Sequence, residues 1–209
     1  MMAGKLGTGL KNVSKTDNHP ANEADKVMIR ENVLNAISKP RVVLDAFCGA
    51  GVMYRKIWNK ADDYVGCDQR WFPDERMVYV CDSRRILRTL DLNRFNVFDL
   101  DSYGSPWEHA IIIASRRQVK PGERVGLILT EGSGMKLKFG ALPTALGVLA
   151  GIHAKMPATN RWHGKLLDRA ILQLAERMRC RVVKRWQAER KAGAAMIYVG
   201  LVLEGMKNQ

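Results

Sequence analysis

The segment from Val42 to Gly51, VVLDAFCGAG, decides how the rest of the chain is interpreted. It begins as a short apolar run typical of a buried strand, and it ends in a turn that contains two glycines. In a parallel sheet, ligands bind beyond the carboxyl ends of the strands, where glycines let backbone N–H groups come close to the ligand. The segment therefore predicts a ligand-binding turn after the first strand.

Apolar runs alternate with helical stretches along the chain, a pattern typical of β-α-β units and a parallel sheet. The last two runs, Arg181–Ala188 and Ala194–Leu203, are separated by the short turn 190–193, so these two strands must be antiparallel. We therefore predict a Rossmann-like α/β fold with a mostly parallel seven-stranded sheet, a C-terminal antiparallel hairpin and helices on both faces. The other strands are expected at Val42–Asp45, Tyr64–Asp68, Val78–Asp82, Val97–Asp101 and Val125–Thr130, and the helices at Asn22–Ser38, 52–60, 84–90, 107–118 and 166–178.

Positive charge is concentrated in the C-terminal half of the chain. The formal net charge is +13, and residues 111–209 carry 18 basic and only 6 acidic side chains. Such a concentration of positive charge attracts polyanions, so RNA, DNA or an anionic membrane surface are the natural partners. The alternative is that the charge only keeps a basic protein soluble. No apolar run reaches the roughly 20 residues of a membrane-spanning helix, so no membrane helix is expected and nucleic acid is the expected partner.

The organisation of the chain is expected to be simple. Residues 1–20 lack periodicity and are predicted to be a flexible N-terminal arm, and residues 21–209 a single domain. The start of the chain has no apolar segment that could direct export, and the four cysteines lack C-x-x-C spacing. We therefore expect a cytoplasmic protein with neither disulfides nor a metal site.

The type of ligand follows from the residues of the glycine turn. A phosphate-binding loop is excluded because no Gly-Lys-Ser/Thr follows, and Tyr54 is too bulky for the third small residue of a dinucleotide-binding turn. Asp45 would repel a pyrophosphate, but it could pair with an ammonium group. The turn therefore favours a ligand with a cationic amino-acid tail.

The pattern Asp45-x-Phe47-x-Gly49-x-Gly51 resembles motif I of the class I S-adenosylmethionine-dependent methyltransferases, and the similarity in strand order extends over residues 22–204. The resemblance implies S-adenosyl-L-methionine as the cofactor, with Asp68 on the ribose hydroxyls and Asp82 on the adenine amine. The alternatives are that Asp82 or Ser83 only caps the following helix and that Asp68 is only a turn residue. The implied cofactor-binding residues are Asp45, Phe47, Cys48, Gly49, Ala50, Gly51, Asp68, Gln69, Asp82, Ser83 and Asp99.

The end of the fourth strand, Asp99 to Pro106 (DLDSYGSP), is similar to the tRNA guanine-N2 dimethyltransferase family, in which the position of Ser102 is a proline. The resemblance implies that Asp101 accepts an N–H of the target amine and that Tyr103 or Trp107 stacks on the base. The alternative is that these carboxylates order a loop and the aromatics lie in the core. The implied catalytic residues are Asp101, Ser102 and Tyr103, and the implied substrate-binding residues are Tyr103, Trp107, Arg116, Arg117, Lys136 and Lys138.

These observations lead to three functional hypotheses. The first is methyl transfer to an exocyclic amine of a nucleic-acid base, guanine N2 in tRNA. The second is methylation of adenine N6 in DNA or RNA, and the third is a catalytically inactive nucleic-acid-binding module with the same fold.

Overall fold

Seven strands form one mixed sheet in the computed structural model, which describes residues 20–152, 160–189 and 196–207. The strands are β1 Val42–Asp45, β2 Asp63–Asp68, β3 Val78–Val80, β4 Val97–Leu100, β5 Arg124–Glu131, β6 Cys180–Glu189 and β7 Ile197–Gly205. Their order is β3-β2-β1-β4-β5-β7-β6. The first five strands are parallel, and β7 is antiparallel to both of its neighbours. This confirms the predicted sheet and its C-terminal hairpin.

Helices cover both faces of the sheet, as predicted. The helices are α1 Pro20–Ala36, α2 Val52–Lys56, α3 Ser83–Thr89, α4 Trp107–Arg116, α5 Gly134–Lys138, α6 Thr144–Ala150 and α7 His163–Arg177. One apolar cluster packs α1 and the Ile57–Trp58 region against one face, and a larger cluster packs α3, α4, α6 and α7 against the other. The helix predicted at 52–60 is shorter, because the chain leaves α2 for a 3-10 turn at Trp58–Lys60. Helices α5 and α6 were not predicted.

Helix α1 lies very close to the sheet above β5 and β7. A Cβ atom on Gly126 would be 2.5 Å from Val33, and one on Gly200 would be 2.8 Å from Ile29. The two glycines therefore form a shallow groove in which the helix rests. This contact fixes where the polar side chains of α1 reach the carboxyl ends of the strands.

Two predictions concern residues outside the ranges that the structure describes. The arm at residues 1–20 lies outside the described residues except for Pro20, where α1 begins, and the hairpin turn 190–193 lies outside them as well. The assignment of residues 21–209 to one domain stays a prediction. Within the described ranges, no helix combines the length and the apolar character needed to cross a membrane.

Candidate active site

The glycine turn after β1 and the acid at the end of β2 are in direct contact. Gly49 and Gly51 have φ angles of 45° and 76°, a conformation that favours glycine. The backbone N–H of Gly49 donates to Asp68 Oδ2 at 3.0 Å, and the N–H of Arg70 donates to Oδ1 at 2.9 Å. Gln69 lies exposed beside Asp68. The structure thus brings together the turn and the second-strand acid that the sequence selected.

Arg76, which the sequence analysis missed, covers this turn. Its guanidinium donates to the carbonyl oxygens of Gly49 at 2.8 Å and Cys48 at 3.3 Å, and it is also paired with Asp74. A Cβ on Gly51 would be 2.7 Å from Arg76 Cζ, so a side chain at this position would displace the guanidinium. The turn is therefore held from the loop between β2 and β3 as well as by Asp68.

Asp45 lies buried beneath the turn. Its carboxylate accepts from the N–H of Phe47 at 3.2 Å and from the hydroxyl of Tyr64 at 3.2 Å. Burial and the nearby Asp99 raise its pKa well above the usual range. Asp45 therefore orders the turn from below, while its predicted role toward an ammonium group stays a prediction.

Two of the predicted cofactor-binding residues, Asp82 and Ser83, follow the end of β3. Asp82 caps α3 by accepting from the N–H of Arg84 at 2.8 Å, and its predicted role toward an adenine amine stays a prediction. Hydrogen bonds from the Arg84 side chain and backbone lower the pKa of Asp82 to about 2. Ser83 Oγ lies 3.0 Å from His109 Nε2, and the His109 ring meets Phe47 edge to face at 4.9 Å. Asp82, Ser83, His109 and Phe47 therefore surround one small area beside the glycine turn.

Asp99 is not available to a ligand, which corrects its assignment to the cofactor. The carboxylate is fully buried, and Arg30 donates to both of its oxygens at 2.6 and 2.8 Å. The indole N–H of Trp58 donates to Oδ2 at 3.0 Å. The sequence analysis missed Arg30 and Trp58, whose contacts with Asp99 span 69 and 41 residues of the chain.

Asp101, two residues further on, remains partly accessible, with 19% of its side chain exposed. Lys26 Nζ lies 3.0 and 3.2 Å from its two oxygens, and Arg30 Nη2 lies 3.2 Å from Oδ2. Burial alone would raise the pKa of Asp101, but the charges of Arg30 and Lys26 hold it below its usual range. The carboxylate is therefore ionised at neutral pH and acts as a hydrogen-bond acceptor. Beside it, Tyr103 is 80% exposed, and the Ser102 hydroxyl is buried.

Three predicted substrate contacts lie elsewhere. Trp107 is fully buried in the core and offers no face to a base. Arg116 and Arg117 are at the far end of α4, and a helix that follows a parallel strand returns to the amino edge of the sheet. Arg116 donates to Leu87 O at 2.6 Å, and the buried Arg117 donates to Phe95 O at 2.9 Å and pairs with Glu123. Trp107 and Arg117 are therefore buried away from any substrate, and the half-buried Arg116 lies at the edge of the sheet opposite Asp101, which corrects these three assignments.

The predicted residues Lys136 and Lys138 do lie exposed on α5, directly after β5 and therefore at the same edge as Asp101. Helix α5 packs against the turn before α7, where Lys165 Nζ lies 5.1 Å from the centre of the exposed Trp162 ring. Basic and aromatic side chains thus alternate along this surface, which we call the basic rim. The basic rim consists of Lys136, Lys138, Phe139, Arg161, Trp162 and Lys165.

A further buried carboxylate, Glu131, ends β5 next to the basic rim. Glu131 Oε1 accepts from the N–H of Ser133 at 2.6 Å and lies 3.4 Å from His163 Nε2. Oε2 has no hydrogen-bond partner among the described residues. The described ranges contain no group of three His, Cys, Asp or Glu side chains that could hold a metal.

Comparisons with known proteins identify the fold. No family model and no curated protein matches the chain. Among solved structures, Trm1 from Pyrococcus horikoshii, crystallised with S-adenosyl-L-methionine, is 18% identical with a TM-score of 0.57 over 88% of this chain and 55% of its own. The N-methyltransferase NodS from Bradyrhizobium japonicum, with S-adenosyl-l-homocysteine, is 12% identical with a TM-score of 0.57 over 91% and 90%. TYW2 from M. jannaschii, crystallised with AdoMet, is 11% identical with a TM-score of 0.53 over 87% and 77%.

These structural similarities confirm the fold expected from the sequence: the chain has the class I methyltransferase fold. The chain spans little more than half of the length of the Pyrococcus horikoshii Trm1 chain.

Proposed function

We propose that this protein is an S-adenosylmethionine-dependent methyltransferase that modifies an exocyclic amine of a nucleic-acid base, with guanine N2 in tRNA as the leading candidate. The observation that carries the proposal is the arrangement of polar groups at one edge of the sheet. The glycine turn, Asp68 and the Asp82–Ser83 pair lie together at the carboxyl ends of β1, β2 and β3. Asp101 follows the end of β4, the strand next to β1.

The residues beside the turn suit the parts of this cofactor. Asp68 offers a carboxylate for a vicinal diol, and Asp82 offers an acceptor for an amine. The rings of Phe47 and His109 meet beside them, and burial lowers the pKa of His109, so its imidazole is neutral at neutral pH. A neutral aromatic wall beside two acceptors is suited to a flat purine that carries an amine. When bound, S-adenosylmethionine supplies a methyl group activated by a sulfonium centre.

Asp101 performs the positioning that the transfer to nitrogen needs. The lone pair of an exocyclic base amine is delocalised into the ring, so the nitrogen attacks only when acceptors hold its N–H bonds and favour a tetrahedral geometry. Lys26 and Arg30 keep Asp101 ionised and fixed for this task. With the cofactor bound, Asp101 would hold the amine in line with the methyl group, and the amine proton would pass to Asp101 or to water. Placement of this kind accounts for about 7–11 kcal/mol of barrier reduction.

The surface around Asp101 supports a nucleic acid as the substrate. Tyr103 exposes 80% of its surface beside Asp101 and provides a stacking face for an extruded base. Beyond it lies the basic rim, in which lysine and arginine can contact phosphates and exposed rings can stack on bases. Such a surface is suited to single-stranded RNA or an unpaired loop.

The experiment is an incubation of the protein with S-adenosylmethionine that carries a tritiated methyl group. Unmodified tRNA transcripts, ribosomal RNA fragments and duplex DNA are offered in parallel, digested to nucleosides and analysed for label. We expect label in N2-methylguanosine from tRNA. Label in N6-methyladenosine would exclude the guanine assignment, and cofactor-independent RNA binding without any labelled nucleoside would identify an inactive binding module.

A further inference from the structure

Arg76 is a buried arginine that holds two carbonyl groups of the glycine turn. Only 4% of its side chain is exposed, although most residues of its loop, 69–77, lie at the surface. Its guanidinium donates to Gly49 O at 2.8 Å and to Cys48 O at 3.3 Å, and its Nε donates to Asp74 Oδ2 at 2.9 Å. A guanidinium presents its N–H donors in a rigid plane, so these three contacts hold it in one orientation.

The peptide group between Gly49 and Ala50 is the part of the turn that this contact controls. The peptide is trans, so its C=O and its N–H point in opposite directions. Because the Gly49 carbonyl points to the buried Arg76 side chain, the Ala50 N–H points away from it. Ala50 is exposed, and its N–H makes no hydrogen bond within the described ranges. Arg76 therefore leaves one donor of the turn free on the exposed side.

The proposed contacts follow one another along the sheet edge in the same order as the parts of the cofactor. Strands β3, β2, β1 and β4 are neighbours in that order, about 4.8 Å apart. In the proposed site, Asp82 after β3 accepts from the adenine amine, and Asp68 at the end of β2 accepts from the ribose hydroxyls. The glycine turn after β1 comes next and therefore faces the amino-acid tail. The methyl group then faces Asp101 after β4.

The amino-acid tail carries a carboxylate, which accepts hydrogen bonds and does not donate them. A backbone N–H that donates to a carboxylate makes a charge-assisted hydrogen bond, so the free N–H of Ala50 matches this part of the ligand. The turn does not hold that N–H in place by itself, because Gly49 and Gly51 on either side of Ala50 have access to many backbone conformations. The hydrogen bonds from Arg76 remove this freedom.

We propose that Arg76 is a positioning residue for the amino-acid tail of S-adenosylmethionine. By holding the carbonyl of Gly49, it directs the Ala50 N–H toward the tail carboxylate before the cofactor binds. Arg76 acts through the turn and not on the cofactor, because its donors are used by the turn carbonyls and Asp74. This inference rests on the proposed methyl transfer. Its consequence is that loss of Arg76 weakens only those ligands that carry the tail.

The test compares two ligands that share the adenosine part and lack the sulfonium charge. S-adenosylhomocysteine has the amino-acid tail, and 5′-methylthioadenosine has a methyl group in place of it. By isothermal titration calorimetry, Arg76→Met should weaken the binding of S-adenosylhomocysteine at least roughly tenfold, the effect of losing one hydrogen bond to a charged group. The affinity for 5′-methylthioadenosine should stay within experimental error. An equal loss for both ligands, or a loss for neither, would overturn the proposal.

Arg76→Lys separates orientation from charge. It keeps the positive charge, but an ammonium group lacks the planar fork that holds two carbonyl groups at once. We therefore expect the same loss for S-adenosylhomocysteine and none for 5′-methylthioadenosine. Full affinity of Arg76→Lys for S-adenosylhomocysteine would show that charge alone is enough, and it would refute the positioning role.

The matched control is Arg94→Met, the same change to an exposed arginine that pairs with Asp63 at the opposite edge of the sheet. It should leave both affinities unchanged. The unmodified protein separates this inference from the proposed function. If it binds neither ligand, the proposed function fails and the inference fails with it. If it binds both and Arg76→Met changes the two affinities equally, only the role of Arg76 fails.

Discussion

The guanidinium of Arg30 and the carboxylate of Asp99 form a fully buried ion pair with hydrogen bonds to both carboxylate oxygens. It joins the first helix to the fourth strand, and the same guanidinium reaches Asp101 at 3.2 Å. The pair thus supports the core and the candidate active site with one side chain.

Replacing Arg30 with methionine should destabilise the protein by about 3–5 kcal/mol, because it leaves Asp99 buried without its counter-charge. Urea denaturation followed by circular dichroism measures the change. The control is Lys60→Met, which removes an exposed pair with Glu31 and should cost at most about 1 kcal/mol. A similar decrease in the free energy of unfolding in the two variants would show that the buried pair contributes no more to stability than the exposed pair.

Asp68→Ala should weaken the binding of S-adenosylmethionine by at least roughly tenfold, since hydrogen bonds to a charged group contribute about 1.5–3 kcal/mol each. Isothermal titration calorimetry gives the affinity directly. Asp63→Ala changes the same residue type at the exposed beginning of the same strand and should leave the affinity unchanged. If Asp68→Ala binds the cofactor normally, this residue has no part in the ribose site.

The two roles of Asp82 can be separated by comparing serine and alanine. Asp82→Ser keeps an N-cap acceptor, but its side chain is too short to reach an adenine amine, so it should retain stability and lose cofactor affinity. Asp82→Ala should lose affinity and also about 1 kcal/mol of stability. Thermal unfolding and calorimetry on both variants provide the comparison. Normal affinity in Asp82→Ser would leave helix capping as the only role.

Asp101→Ala should reduce methyl transfer by about 100-fold or more, the usual effect of losing one transition-state contact in a buried site. The cofactor affinity should change little, because Asp101 faces the amine. Single-turnover transfer with labelled cofactor, together with calorimetry, measures both quantities. Equal loss of transfer and of cofactor binding would contradict the assignment.

The direction of the Asp101 pKa adds a pH test to this experiment. Because Arg30 and Lys26 hold the pKa below its usual range, the residue remains an acceptor throughout neutral and mildly acidic solution. The transfer rate should therefore show no loss attributable to Asp101 as the pH falls from 8 to 5. Lys26→Met should move the onset of acid inactivation to higher pH.

Lys136→Ala/Lys138→Ala should weaken RNA binding and lower the slope of log affinity against log salt by about 1 to 2, as expected when two phosphate contacts are lost. Fluorescence anisotropy between 50 and 300 mM salt measures the slope. The matched control is Lys39→Ala/Lys60→Ala, two exposed lysines that pair with Asp62 and Glu31 away from the basic rim. An unchanged slope in the first variant would remove α5 from the RNA-binding surface.

The sequence predicted the sheet well because buried strands leave a local signal. Val42–Asp45 was predicted with the bounds that the structure has, and the nearness of the glycine turn to Asp68 follows from the pairing of β1 with β2. Long-range partners leave no such signal. Nothing near Asp99 in the sequence indicates that Arg30 will pair with its carboxylate. A buried structural carboxylate was therefore assigned to the cofactor.

The errors in the basic half have a related cause. A sequence shows that Arg117 is charged, but not that Phe95 O and Glu123 use its guanidinium. The predicted β-α-β pattern did place the end of this helix at the amino edge of the sheet, away from the ligand edge. Glu131 was missed because nothing in the sequence separates it from an ordinary charge at the end of a strand. Its apolar neighbours in β5 indicate a strand, and only the folded chain shows that the carboxylate is buried with an oxygen to spare.

The position of α1 in the groove above Gly126 and Gly200 has a practical consequence for protein engineering. A fragment trimmed to start at β1 would keep every strand and every motif residue, yet it would not be a minimal catalytic unit. Asp45, Asp99 and Asp101 would face one another without the cations that Lys26 and Arg30 provide. The amino-terminal helix thus belongs to the candidate active site as much as to the scaffold.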